Sequence, residues 1–230
     1  MNNTLSAAAV LYAAADLLAP PSTAWGSYSV PCSDPGAHKV ERNQVAVLLL
    51  AVSFLEMRAQ GLLTMDVEEV KKLLVIHTID VHVHLTPGTQ DKLPQEGFNG
   101  WLARGFARHD GGKVVDIVSS AYGGLYTDAS GVPLSRSFQE LLTQGYYEDV
   151  THEAGGVGGF LRKAVHATPK IEHEYTPRCE RFQAARREAP RVQALLDTAC
   201  NGEAHLWEIL EKNLKYAIAS CTQQQTSGTN

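Results

Sequence analysis

Two histidines lie two residues apart in a segment that alternates strictly between apolar and polar side chains. Residues 79–85 have the sequence IDVHVHL, so the two histidines share one face and the aliphatic residues share the other. This period-two pattern predicts a half-buried β-strand. Two imidazoles on one strand face can ligate the same divalent metal ion, so His82 and His84 form the first candidate site.

The same string resembles the first-strand DxHxH motif of the amidohydrolase superfamily, whose members are metal-dependent hydrolases built on a (β/α)₈ barrel. Such a barrel needs roughly 250 residues, whereas 145 residues follow Leu85. Those residues lack the repeated buried strands that would carry the remaining ligands. We therefore expect a solvated polar strand face without a bound metal, and a metal-dependent hydrolase stays as an alternative.

Arginines provide the second candidate site. The chain has 230 residues and a net charge of −5, yet the segment Arg162–Arg191 contains eight basic and four acidic residues. Its charge of +4 leaves −9 for the rest of the chain. Guanidinium groups match the oxygens of phosphate, so we expect an exposed patch that faces an anionic partner. Its members are Arg178, Arg181, Arg186, Arg187 and Arg191.

An anionic lipid surface and a nucleic acid would both suit a basic patch. Residues 41–60 are predicted to form a helix, which Gly61 and a predicted hairpin over residues 62–85 follow. The order helix, glycine, hairpin also occurs in winged-helix domains. A winged-helix-like nucleic-acid binder is therefore a further alternative. However, the basic segment contains few aromatic residues, Tyr175 and Phe182 among them, and this disfavours single-stranded nucleic acid. We expect a lipid surface or a protein as partner rather than a nucleic acid.

The cysteines and the glycine-rich run of the sequence do not indicate a catalytic site. The four cysteines form no CxxC pair and no export signal precedes them, so we expect reduced thiols packed as small apolar groups. The glycine-rich run Gly155–Gly159 predicts a hinge rather than a phosphate loop, because no Lys-Ser or Lys-Thr pair follows it. The sequence contains no GxSxG and no HExxH motif. No cofactor is implied.

The elements that position these residues are predicted to be mostly helical. Residues 41–60 are apolar on nearly every face, which predicts a buried central helix that ends at Gly61. The strands Leu62–Val67 and Leu73–Leu85 are predicted to form a hairpin. The fold class is therefore mainly α, a helical bundle around a buried central helix with one or two small β-hairpins. The other predicted helices are Ser6–Leu18, Gly100–His109, Lys113–Ala121, Leu134–Gln144, Pro190–Cys200 and Glu203–Cys221.

The predicted organisation has three parts. Residues 1–40 form an N-terminal helix and a linker, residues 41–221 form a single helical domain, and residues 222–230 form a disordered tail. No apolar run approaches the roughly 20 residues that cross a bilayer.

Two stretches resemble the Golgi phosphoprotein 3-like family. Residues 54–63, FLEMRAQGLL, look like the end of that family's apolar helix, where a basic residue and a glycine precede a hairpin. Residues 138–147, FQELLTQGYY, look like its later helix, which ends in a glycine before an extended segment. Residues 195–214 look like its closing helices. The resemblance covers residues 41–216 loosely.

Members of that family form a mostly helical domain that binds phosphatidylinositol 4-phosphate and sorts membrane enzymes in the Golgi. The family's ligand-binding tryptophan falls at Glu41, and its arginines fall at Leu50, Gly131 and Leu134. Arg136 is the basic residue beside them, and it joins the candidate headgroup-binding residues. The resemblance implies a non-enzymatic adaptor that binds a phosphoinositide or another anionic lipid, located in the cytoplasm and peripheral to membranes.

Overall fold

The computed structural model of the chain describes residues 4–24, 26–72, 76–108, 111–153 and 171–222. Helices dominate these residues, and the strands form sheets of two or three strands. The predicted fold class is therefore confirmed. The predicted hinge at Gly155–Gly159 and residues 223–230 of the predicted tail lie outside the described residues. None of the described helices is long and apolar enough to cross a membrane.

The chain starts with two short helices, α1 (Ala7–Ala13) and α2 (Ala15–Leu18). The side chain of Ser6 caps α1 by accepting a hydrogen bond from the backbone N–H of Ala9 at 3.1 Å. The sequence predicts one amphipathic helix here. Instead, every residue of α1 except Tyr12 is buried, because helices from later in the chain pack on several of its sides.

A surface segment then leads to the central helix. Within it, β1 (Ser27–Tyr28) pairs with β2 (Val40–Glu41). Cys32 of this segment forms a disulfide with Cys179, 147 residues later. The prediction that all four cysteines are reduced is therefore wrong for these two. Their separation explains the error, because local spacing cannot reveal a pairing that the tertiary fold creates.

The central helix is α3 (Arg42–Ala59). Its residues from Val45 to Met57 are all buried except Leu48, as the absence of a polar face predicts. Gly61 follows with a φ of +70°, the left-handed conformation that commonly ends a helix. The helix packs against elements from both ends of the chain, so it forms the centre of the hydrophobic core.

A three-stranded antiparallel sheet follows α3, in the order β3 (Leu63–Lys72), β4 (Ile76–Leu85) and β5 (Gly111–Lys113). The predicted hairpin is present, but β3 continues through the charged residues 68–72 that the sequence suggested as a connector. Lys113 belongs to β5 and pairs with His82, whereas the sequence placed it in a helix. Val81 and Val83 are fully buried, as the alternating pattern predicts.

Each remaining predicted helix has a counterpart in the structure, but the helix Cys179–Arg186 was not predicted. Strand β6 (Tyr147–Glu153) pairs antiparallel with β7 (Ile171–Pro177). The helix–glycine–strand order at Gly145 is confirmed, with a φ of +74°. The helices of this part of the chain are α4 (Gly97–Ala103), α5 (Val114–Tyr122), α6 (Gly131–Thr143), α7 (Cys179–Arg186), α8 (Ala189–Asp197) and α9 (Ala204–Ser220). Short 3₁₀ turns lie at Gln90–Lys92 and Arg104–Arg108, and a π turn lies at Thr198–Gly202.

Candidate functional site

The predicted arginine patch does not form one exposed surface. Arg186 is only 6% exposed, and its guanidinium binds both carboxylate oxygens of Asp16 at 2.6 and 2.8 Å. Arg191 donates to Oε1 of Glu56 at 2.7 Å. Both acidic partners come from helices more than 130 residues earlier in the chain, so the local charge count could not reveal them. Arg186 is therefore not available to an external anion.

The other three arginines of this segment lie on the surface but in different settings. Arg181 donates to the carbonyl oxygen of Gln144 at 2.8 Å, and thereby caps the C-terminal end of α6. Arg178 lies 4.0 Å from a carboxylate oxygen of Glu148. Arg187 is exposed and makes no ion pair with the described residues. Among the five, Arg187 is thus the exposed guanidinium without a bound partner.

The polar side chains of the histidine strand lie close to charged groups on the neighbouring strands. Nε2 of His82 lies 2.9 Å from a carboxylate oxygen of Glu68, within ion-pair distance but without hydrogen-bond geometry. Nε2 of His84 lies 3.2 Å from Asp66. Asp80 accepts a hydrogen bond from Lys113 at 2.6 Å. Within the described part of the chain, no group of three or more His, Cys, Asp or Glu side chains is arranged to hold a metal ion.

We therefore expect the purified protein to carry less than one zinc, manganese or iron ion per chain, because the described residues offer no group of three ligating side chains around these imidazoles. Elemental analysis of the protein, prepared without chelators, measures this. About one metal per chain, lost in a His82→Ala/His84→Ala double variant but kept in a Lys113→Ala variant, would show that the strand is a metal site.

A cleft lined by charged and polar side chains has a volume of about 670 Å³. Its walls come from residues 4–6, the end of α3, the start of α4, the exposed side of α6 and the start of α8. Two of the predicted site residues, Arg136 and Arg191, line it. We call this cavity the interhelical cleft.

Glu140 of α6 forms part of the cleft floor. It is 7% exposed, and its carboxylate accepts hydrogen bonds from the backbone N–H and the hydroxyl of Ser6 at 3.0 and 2.9 Å. It also accepts one from the backbone N–H of Phe98 at 2.7 Å. Gly97 permits this approach, because a Cβ at this position would lie 2.7 Å from a carboxylate oxygen of Glu140. The carboxylate thus holds the N-terminal ends of α1 and α4 together.

Glu56 of α3 has the equivalent role on the other side of the floor. It is 5% exposed, and it accepts hydrogen bonds from the backbone N–H of Ala7 at 2.9 Å and the amide of Asn99 at 2.7 Å. Its other oxygen accepts from Arg191 at 2.7 Å, and Arg191 also donates to the carbonyl of Leu5 at 2.9 Å. Both floor carboxylates are therefore occupied by three donors each.

The rim of the cleft carries two guanidinium groups that form no ion pair within the described part of the chain. The Arg136 guanidinium lies over the ring of Trp101, 5.9 Å from its centroid, which is a cation–π contact. Arg104 also lines the cleft and is exposed. Neither arginine makes an ion pair or a side-chain hydrogen bond with any described residue. Glu96 contributes one opposing exposed carboxylate.

Amide side chains complete the polar lining. Gln60, Gln139 and Gln144 reach the cleft, and their amides make no hydrogen bond to the part of the chain that the structure describes. An amide offers both a donor and an acceptor, which suits the hydroxyl groups of a ligand. The cleft therefore combines two unpaired guanidinium groups with several free amides.

The positions implied by the Golgi phosphoprotein 3-like resemblance do not create a comparable cluster of cations. Leu50 is fully buried in α3. Gly131 and Leu134 lie with Arg42 around a shallower depression of about 450 Å³. The Arg42 guanidinium is already 2.8 Å from a carboxylate oxygen of Asp128.

Sequence reasoning missed Arg104, Trp101 and Glu140 as members of a site. Arg104 is an isolated basic residue at the end of α4, and Trp101 fits an ordinary core pattern. No spacing signal joins them to Arg136, since the cleft is created by the packing of α4 on α6.

Comparisons with known proteins do not assign the chain to a family. No protein-family model, no curated protein and no solved structure matches it. The functional interpretation therefore depends on the residues of the interhelical cleft, and the resemblance stated above stays a prediction.

Proposed function

We propose that the protein is a non-enzymatic binding module that holds a phosphate-bearing, hydroxyl-rich ligand in the interhelical cleft. The observation that carries this proposal is that two guanidinium groups at the cleft rim, Arg104 and Arg136, form no ion pair with the described residues. Guanidinium groups bind phosphate oxygens through paired, charge-assisted hydrogen bonds. The free glutamine amides supply donors and acceptors for hydroxyl groups beside the phosphate.

The floor carboxylates favour binding over acid–base catalysis. A general acid or base must reach a proton of the ligand at hydrogen-bond distance. Glu56 and Glu140 are instead buried and hold the N-terminal ends of α1 and α4. Their role is to fix the shape of the cleft, so that the rim side chains meet the ligand in a preorganised arrangement.

The same ligand chemistry has two sources. A phosphoinositide headgroup at a membrane and a free phosphorylated polyol both combine phosphate with adjacent hydroxyl groups. The membrane source agrees with the adaptor function that the family resemblance implies, and Arg136 takes part in both interpretations. A phosphoinositide-binding adaptor is therefore the specific form of this proposal that we favour.

Binding is tested with two probes. One is the free headgroup glycerophosphoinositol 4-phosphate, whose binding is measured by calorimetry. The other is a set of phosphatidylcholine vesicles with and without phosphatidylinositol 4-phosphate, whose binding is measured by cosedimentation. An Arg104→Gln/Arg136→Gln variant should bind at least about tenfold more weakly, since each charge contributes about 1 kcal/mol near an anionic group. Binding to vesicles should also fade as salt rises, because salt screens exposed charges.

The matched control is an Arg178→Gln/Arg187→Gln variant, which removes two exposed guanidinium groups outside the cleft. It should bind both probes as the wild type does. If the control loses binding while the cleft variant keeps it, the ligand contacts the α7 surface instead of the cleft. If wild type binds neither probe at low salt, the proposed function is wrong. Binding of the free headgroup without any preference for the lipid vesicles would identify a free polyol phosphate as the ligand.

A further inference from the structure

The segment between α2 and α3 is held to the rest of the molecule by buried apolar residues, Val30 and Val40 among them, by two described side-chain hydrogen bonds and by one disulfide. We call residues 26–39 the strap. The two ends of the strap lie side by side. Strand β1 pairs with β2, and the Ser22 N–H donates a hydrogen bond to the Lys39 carbonyl at 2.9 Å. One described hydrogen bond ties its middle to α7, from Gln183 to the carbonyl of Cys32 at 2.9 Å.

The Cys32–Cys179 disulfide is the covalent attachment of the strap. It joins the middle of the strap to the first residue of α7. Cys32 has a φ of +56° and is the one non-glycine position with positive φ among the described residues. A cysteine rarely adopts this left-handed conformation unless its surroundings enforce it. The strap is therefore held in place at a strained point.

The strap forms one wall of a depression that aromatic residues line. Tyr28 of the strap lines the depression of about 450 Å³ together with Tyr12 of α1 and Phe138 of α6. The Tyr28 hydroxyl is buried, and no hydrogen-bond partner for it is present in the described structure. A buried hydroxyl without a partner opposes docking of the strap. The favourable non-covalent contribution comes mainly from Tyr28 and Val30, which is 3% exposed.

We propose that the Cys32–Cys179 disulfide is a reversible redox latch, and that its reduction releases the strap and uncovers the surface around Tyr12 and Phe138. Cys179 is exposed and Cys32 half-buried, so a reductant reaches the Cys179 sulfur first. The thiolate of a dithiol reductant attacks that sulfur, the S–S bond breaks, and Cys32 leaves as a thiolate that takes up a proton. The second thiol of the reductant then displaces Cys179 and becomes part of the reductant's own disulfide. Two electrons and two protons are transferred in total.

Limited proteolysis of the full chain tests the latch. Chymotrypsin cleaves after Tyr28 and trypsin after Lys39, and both bonds need a locally released chain. We expect cleavage within the strap at least about tenfold faster after treatment with dithiothreitol than before it, with the products located by mass spectrometry. A Cys32→Ser/Cys179→Ser variant should be cleaved at the fast rate with or without dithiothreitol.

A Cys200→Ser variant is the matched control, because it removes a thiol outside the disulfide and should respond to dithiothreitol as the wild type does. Equal cleavage rates in the oxidised and reduced wild type would overturn the proposal. So would non-reducing peptide maps in which Cys32 and Cys179 of the air-exposed protein are free thiols. Cleavage throughout the chain on reduction, with loss of helical circular dichroism, would show a global staple instead of a local latch.

Discussion

Replacing Phe54 with alanine is expected to lower the free energy of unfolding by about 3–5 kcal/mol. The Phe54 side chain is fully buried at the centre of α3. Its ring contacts that of Phe106 edge to face, with centroids 6.4 Å apart. Truncation to alanine removes this contact and leaves a cavity in a region where neighbouring elements converge. Denaturant unfolding followed by circular dichroism measures the loss.

Two further variants control this prediction. Leu49→Ala, at another fully buried position of α3, should cost about 2–5 kcal/mol. Leu48→Ala lies in the same helix but at a half-buried position, so it should cost clearly less than either. A loss below about 1 kcal/mol at both Phe54 and Leu49 would contradict the central position of α3 in the core.

The burial of α3 was predictable because its evidence is local. A helix with apolar residues on all faces must be covered on all faces, and residues 45–57 contain that information without reference to the rest of the chain. The same holds for β4, where strict alternation predicts that Val81 and Val83 point into the core. Local patterns therefore sufficed for the fold class and for the approximate bounds of the central helix and of several later helices, whereas the helix Cys179–Arg186 and the short strands were missed.

The candidate site was not predictable in the same way, because each of its features joins distant residues. Arg136 was identified through the family resemblance and Arg191 through the charge count, and neither observation indicated a shared cleft. Arg104 belongs to no motif and to no charge cluster that the sequence analysis identified. The disulfide joins positions 147 residues apart. Pairings of this kind are set by tertiary packing, which composition and periodicity do not encode.

The second large effect is expected at the buried ion pair between Asp16 and Arg186. Replacing Arg186 with methionine should lower the free energy of unfolding by about 3–5 kcal/mol, since it leaves the Asp16 carboxylate buried without its partner. The side chains are 2% and 6% exposed for Asp16 and Arg186, respectively. Hydrogen bonding to Asp16 also raises the pKa of the Arg186 guanidinium, so this arginine stays charged across the physiological range.

A double variant separates the charge from the packing. Asp16→Leu/Arg186→Met removes both charges and fills the site with apolar groups, so it should recover most of the stability that Arg186→Met loses. Arg187→Met, at the exposed neighbouring position, should change the free energy of unfolding by less than about 0.5 kcal/mol. Equal stability of wild type and Arg186→Met would place Arg186 on the surface and return it to the anion-facing patch. A large loss confined to Arg186→Met would instead show that this arginine fixes α7 against the N-terminal helices, leaving ligand recognition to the cleft rim.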